Sequence, residues 1–357
     1  MSLSKNNYKL RGSLIARSSW IRTLGIALVL SLLFTGTVAL ASLPQPEQHV
    51  FVLKWGSYGT GNGEFDHPYD LAVDKKGNVF VADTCNHRVQ EFSSKGTFLR
   101  EWGVLGTDKG QFNFTMGVAV DNAGNILVTD TCNDRIQKFS SEGVFLGTWG
   151  SPGVGNAQFK YPYEIAVDSS GKMYVADSGN HRIQKFTSTG TFITKWGSYG
   201  SGEGQFSYPH GVAIDQAGNV YVADYSNNRV QKFTSDGVYL TQWGSRGSGN
   251  GQFRNPKGVA VDRQGNVYVG DYYNNRIQKF TNNGVFLASW GGNGAGDGQF
   301  STPKGVATDD SGNIYVADTG NSRVQKFRVD PTSNSYVADS AAIVIAVAIV
   351  AAIFKKR

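Results

Sequence analysis

Six carboxylate–guanidinium pairs recur along this chain: Asp83 with Arg88, Asp130 with Arg135, Asp177 with Arg182, Asp224 with Arg229, Asp271 with Arg276, and Asp318 with Arg323. Each pair stands 47 residues from the next. An acid so close to a base could move protons, but that chemistry needs asymmetric placement and shifted pKa values. A pair present in every repeat serves the fold. Its expected work is structural: the Asp carboxylate accepts from loop amides and the Arg reaches back to it in a charge-assisted bond. No catalytic residue is assigned.

Other chemistry is sparse. Five histidines and two cysteines are present. A catalytic zinc needs three converging ligands, and the spacing of His67, His87, His181 and His210 along the chain does not bring three of them together. No metal or other cofactor is expected. Cys85 and Cys132 hold the same position in successive repeats. Equivalent points of a ring should lie about 10 Å or more apart, beyond the ~7 Å between Cα atoms that a disulfide tolerates, so both are expected as free thiols. There is no Gly-x-Ser-x-Gly elbow, no Gly-x-x-x-x-Gly-Lys-Ser/Thr loop and no Cys-x-x-Cys pair. The Gly-rich stretches Gly59–Gly63 and Gly247–Gly251 precede no helix and read as turns.

Specific function should sit where the repeats differ. The residue after the repeated proline varies as Tyr69, Met116, Tyr163, His210, Lys257 and Lys304. The loop after the repeated Asp carries Asn86-His87, Asn180-His181, Tyr225 and Tyr272-Tyr273. Both loop sets are expected on one face. Tyr and His supply large amphipathic contacts with a polar tip, and loops on a rigid scaffold commonly carry function. The candidate binding face is therefore His67, Tyr69, His87, Tyr163, His181, His210, Tyr225, Tyr272 and Tyr273. The Lys of each Gln-Lys-Phe run (Lys138, Lys185, Lys232, Lys279, Lys326) is expected in a solvated ring.

The elements that position these residues are legible in one unit. Between Gly211 and Phe253 run four short apolar segments: Val212–Ile214, Val220–Ala223, Val230–Phe233 and Val238–Trp243. Gly, Asn and Asp separate them, as turns require. No segment is long enough for a helix, and none has a 3.6-residue period. Four strands joined by hairpin-length loops make one antiparallel sheet. A fixed 47-residue period without insertions indicates a propeller or a solenoid, and a solenoid would need polar caps. The chain is thus predicted to be all-β, a six-bladed β-propeller of four-stranded antiparallel blades. The last unit lacks its fourth strand, and Val50–Gly56 supplies the missing pattern at the other end. That N-terminal strand is predicted to complete the last blade and close the ring, leaving no open edge.

The motifs Pro-x-Gly-Val-Ala-x-Asp, Gly-Asn-Val-Tyr-Val-Ala-Asp, Asn-x-Arg-Val-Gln-Lys-Phe and Gly-x-Gly-Gln-Phe, in that order, resemble NHL repeats across residues 50–327. The resemblance implies the propeller but not one activity, because NHL propellers include RNA readers, interaction platforms, sensor ectodomains and a metal-dependent lyase. The lyase branch binds zinc through histidines that include one directly after this proline in more than one blade. Here only His210 matches, which argues against that activity.

Residues 1–41 read as a signal peptide or an uncleaved signal anchor: five cations and no acid, then the apolar Leu24–Leu40 and the small-residue Ala39-Leu-Ala41. Residues 42–49 form a linker, 50–327 the propeller and 328–340 a second linker. Residues 341–357 are a hydrophobic segment ending in Lys355-Lys356-Arg357. Basic residues at both ends place the propeller outside the membrane.

The net charge of +6 comes from those ends. Without their eight cations, 26 Lys and Arg face 28 Asp and Glu. A nucleic-acid partner is therefore not expected. The reading is an exported, membrane-anchored propeller that binds a protein, peptide or glycan without catalysis. An extracellular lyase or hydrolase and a surface-layer component are the alternatives.

Overall fold

The computed structural model describes residues 47–333. The expected signal segment, the start of the first linker, and residues 334–357 lie outside the described residues. Among the described residues no helix is long and apolar enough to cross a membrane.

The repeats fold as six four-stranded antiparallel sheets. In the first blade the strands are Pro68–Val73, Val79–Asp83, Arg88–Phe92 and Phe98–Trp102. The two middle strands are buried throughout, as expected of blades covered on both faces. The innermost strands pack against one another around the ring, and Pro68–Val73 meets Val306–Thr308 of the last blade. The strand His49–Trp55 pairs antiparallel with Arg323–Val329, with Phe51 opposite Phe327, and completes the sixth blade. The ring closes as predicted.

Apolar cores lie between blades rather than within one. Phe65, Leu71, Val81 and Phe92 of the first blade share a cluster with Tyr315, Ala317 and Val324 of the sixth, and Trp55 packs on it. Burial of each such phenylalanine contributes about 2 kcal/mol.

The repeated Asp and Arg organise each blade's loops. Asp83 accepts from Asp66 N–H (2.8 Å), Asn86 Nδ2 (2.9 Å), Arg88 Nε (2.7 Å) and Gln90 Nε2 (3.0 Å). Arg88 also donates to the carbonyls of Thr60, Gly61 and Glu64. The Gly-rich loop thus folds its carbonyls around a guanidinium, the opposite polarity to a phosphate cradle. Equivalent Asp–Arg contacts of 2.6–2.8 Å recur in the other five blades.

One expectation fails. Lys185, Lys232, Lys279 and Lys326 are buried, not solvated. Each Nζ lies 5.0–5.3 Å from a tyrosine ring centroid, over Tyr174, Tyr221, Tyr268 and Tyr315. Three of them also tie their blade to the hairpin of another, as Lys185 does by donating to Ser235 O at 2.7 Å. The amphipathic stem buries while the ammonium finds carbonyls, so a strand lysine need not face water. In the first blade Glu91 takes this position and pairs with Arg100 at 2.9 Å.

Candidate functional site

The innermost strands bring the varied post-proline residues to the ring axis. The Tyr69 hydroxyl lies 2.9 Å from His210 Nδ1, although these residues belong to opposite blades. His210 stacks between Tyr163 and Tyr225, with centroids 4.1 Å and 4.2 Å away. Tyr69 meets Tyr163 edge-on at 5.6 Å. Lys257 Nζ stands 5.0 Å from the Tyr69 centroid and 4.2 Å from that of Tyr272, and Lys304 Nζ stands 4.7 Å from Tyr69. Residues scattered over more than 230 positions of sequence form one aromatic and cationic cluster.

A second layer was not anticipated. The position two after the proline is Gly in four blades but Asp70 and Glu164 in the first and third. Both are buried. Asp70 Oδ2 accepts from Val118 N–H (3.1 Å), and Glu164 Oε2 from Val212 N–H (3.0 Å). Glu164 Oε1 has no hydrogen-bond partner among the described residues. At Gly305 an added Cβ would sit 2.6 Å from Asp70 Cα. The inner strands approach too closely for side chains there, and the two acids break that rule. Aligning the repeats and asking which glycines are replaced would have found both.

Burial sets the protonation of this cluster. It lifts Asp70 to about 7 and Glu164 well above the usual carboxylate range, with the Asp70 charge adding to the effect. It lowers Lys257 to about 7, helped by Lys304, and Lys304 to about 8. His210 is held well below 6.5 by burial and then by the two lysines, so its ring is neutral. Such perturbed groups cluster at functional sites.

The nine residues expected on a binding face do not all meet. Tyr69, Tyr163, His210, Tyr225 and Tyr272 converge at the axis, joined by Lys257 and Lys304; Tyr273 is exposed beside Tyr272, 4.3 Å between centroids. His87 and His181 instead tie neighbouring blades. Phe114 N–H donates to His87 Nδ1 (3.0 Å) and Tyr208 N–H to His181 Nδ1 (3.1 Å). Asp134, Asn228 and Asn275 accept in the same way in other blades. All five have left-handed backbone, which Asn, Asp and His tolerate better than most residues. His67 is exposed beside Asp66, apart from the axial contacts. Cys85 and Cys132 are both free thiols.

NHL repeats are matched at residues 65–92, 116–139, 159–186, 206–233, 253–280 and 300–327. The chain belongs to the NHL-repeat family. Among curated NHL relatives, the B-box type zinc finger protein ncl-1 of Caenorhabditis elegans is 38% identical over 52 residues, 15% of this chain and 6% of that protein. The match therefore spans about one repeat and a small part of the relative. Among solved structures, a gluconolactonase from Xanthomonas campestris superposes with a TM-score of 0.58 at 14% identity, over 83% of this chain and 94% of that one. Virginiamycin B lyase from Staphylococcus aureus does so with a TM-score of 0.51 at 15% identity, over 80% and 99%. At these identities the likeness is one of fold.

Proposed function

We propose that this NHL propeller is an exported, membrane-anchored binding scaffold, and that its axial mouth receives a carboxylate-bearing segment of a partner protein or peptide. The state of Lys257 and Lys304 carries this reading. Their ammonium groups rest against the faces of Tyr69 and Tyr272, and among the described residues neither forms a salt bridge. A buried charge without a counter-ion is costly, so a ligand carboxylate would restore both charges and gain charge-assisted hydrogen bonds. Aromatic rims beside the lysines suit the flanking side chains of a peptide.

Calorimetric titration of the full chain with a peptide carboxylate and its amide counterpart tests this. The carboxylate binds at least about tenfold more tightly, Lys257→Met abolishes the preference, and affinity falls as pH rises through about 7–8, where the two lysines neutralise. Equal binding of acid and amide overturns the reading. The location rests on the terminal segments of residues 1–41 and 341–357. It predicts that exposed Cys132 reacts with a membrane-impermeant maleimide in intact cells, and reaction only after lysis refutes it.

A second reading, catalysis, is favoured by one observation: Asp70, Glu164 and neutral His210 form a buried set of shifted acids and a base. Covalent change of a bound ligand, lost in Asp70→Asn, would establish it.

A further inference from the structure

The loops of the first blade hold a group of residues that the axial cluster does not use. Asp66, His67 and Cys85 each place a potential ligand atom so that all three lie within 4.8 Å of one another. His67 Nδ1 stands 2.5 Å from Asp66 Oδ1. We infer that these three side chains form a binding site for a divalent cation of the zinc class, with a fourth position open to solvent or ligand.

The donor set points to that class. A thiolate, an imidazole and a carboxylate suit zinc, whereas magnesium and calcium take oxygen alone. Tetrahedral zinc at its usual bond lengths separates such ligand atoms by about 3.3–3.6 Å. The backbone beneath is already braced. Asp66 N–H donates to Asp83 Oδ1 (2.8 Å), and Cys85 N–H donates to Asp66 O (3.1 Å), which ties the two ligand-bearing loops together. His67 has φ 55° and its side chain is 60% exposed, so the open position faces water.

The repeat supplies an internal control. At the three equivalent positions no other blade carries more than one His, Cys, Asp or Glu, and that one is Cys132. Ordinary loop variation has replaced these residues freely elsewhere, and only the first blade assembles a complete set. Three ligands with one position open is the arrangement of a reactive or ligand-anchoring zinc rather than a closed structural one.

The test is titration of the purified full chain, stripped with chelator, with cobalt(II) and then zinc(II). One equivalent of cobalt should raise a thiolate-to-metal charge-transfer band, and one equivalent of zinc should remove it. Cys85→Ser should abolish the band, while Cys132→Ser should leave it unchanged. His67→Asn retains a residue suited to the left-handed backbone, so the fold is kept, and affinity should fall at least about tenfold. Absence of the band in the wild-type chain, or its loss in Cys132→Ser but not in Cys85→Ser, overturns the assignment. Unchanged melting of the variants excludes misfolding as the cause.

Discussion

The Tyr69 hydroxyl and His210 Nδ1 lie 2.9 Å apart although 141 residues, three repeat periods, separate them. The bond joins opposite blades through the axis, so it exists only while the ring is closed. Replacing Tyr69 with Phe leaves a buried imidazole nitrogen without its partner, and stability should fall by about 1–3 kcal/mol. Denaturant unfolding of the full chain at pH 7 measures this. A variant as stable as wild type would mean that the contact is not formed in solution.

Ring closure predicts a larger effect. Deleting residues 49–55 from the full chain removes the fourth strand of the last blade and exposes the edge of Arg323–Val329. Melting should drop by more than about 10 °C or give way to aggregation. Thermal scanning with light scattering distinguishes this from an unchanged transition, which would rule out closure by this strand.

Each blade's Asp–Arg contact should be costly to break from one side. Arg229→Ala leaves Asp224 wholly buried without its 2.8 Å partner, and about 3–5 kcal/mol should be lost. Arg135, whose side chain is more exposed, should cost less when replaced. The ranking of the two variants by urea midpoint is the check.

Asp70 gives a pH signature. Its folded carboxyl is raised by burial from 3.8 to about 7, so between those values the folded state holds a proton that the unfolded chain releases. Its stabilising contribution is complete below about pH 4 and is lost as pH rises through 7, by a total on the order of 4 kcal/mol. Asp70→Asn keeps a neutral acceptor for Val118 N–H and should flatten that part of the stability curve. Glu164 slopes in the same direction, so some decline should remain. An identical curve for wild type and variant would contradict the buried, protonated acid.

How far these features could be read beforehand depends on whether they repeat. The paired Asp83 and Arg88 and the closing strand near Val50 follow from a pattern present six times, where each copy corroborates the others. Lys232 misled because a strand lysine with polar neighbours in sequence looks solvated, and only the adjacent Tyr221 and the hairpin of the next blade reveal its burial. His87 shows a different limit. Sequence places it in a variable loop, and only the fold shows that its Nδ1 accepts a backbone N–H from the next blade.

Period, turn residues and the displaced strand determine blade number, strand order and closure, because local turn chemistry and alternation act within a few residues. Convergence does not follow from them. Tyr69, His210, Lys257 and Lys304 meet because a six-bladed ring directs the first strand of every blade at one axis, and the distance across that axis has no trace in sequence separation. The raised acids and lowered lysines follow from the same geometry: burial at the axis removes water from whatever side chains stand there, and the fold alone selects which those are.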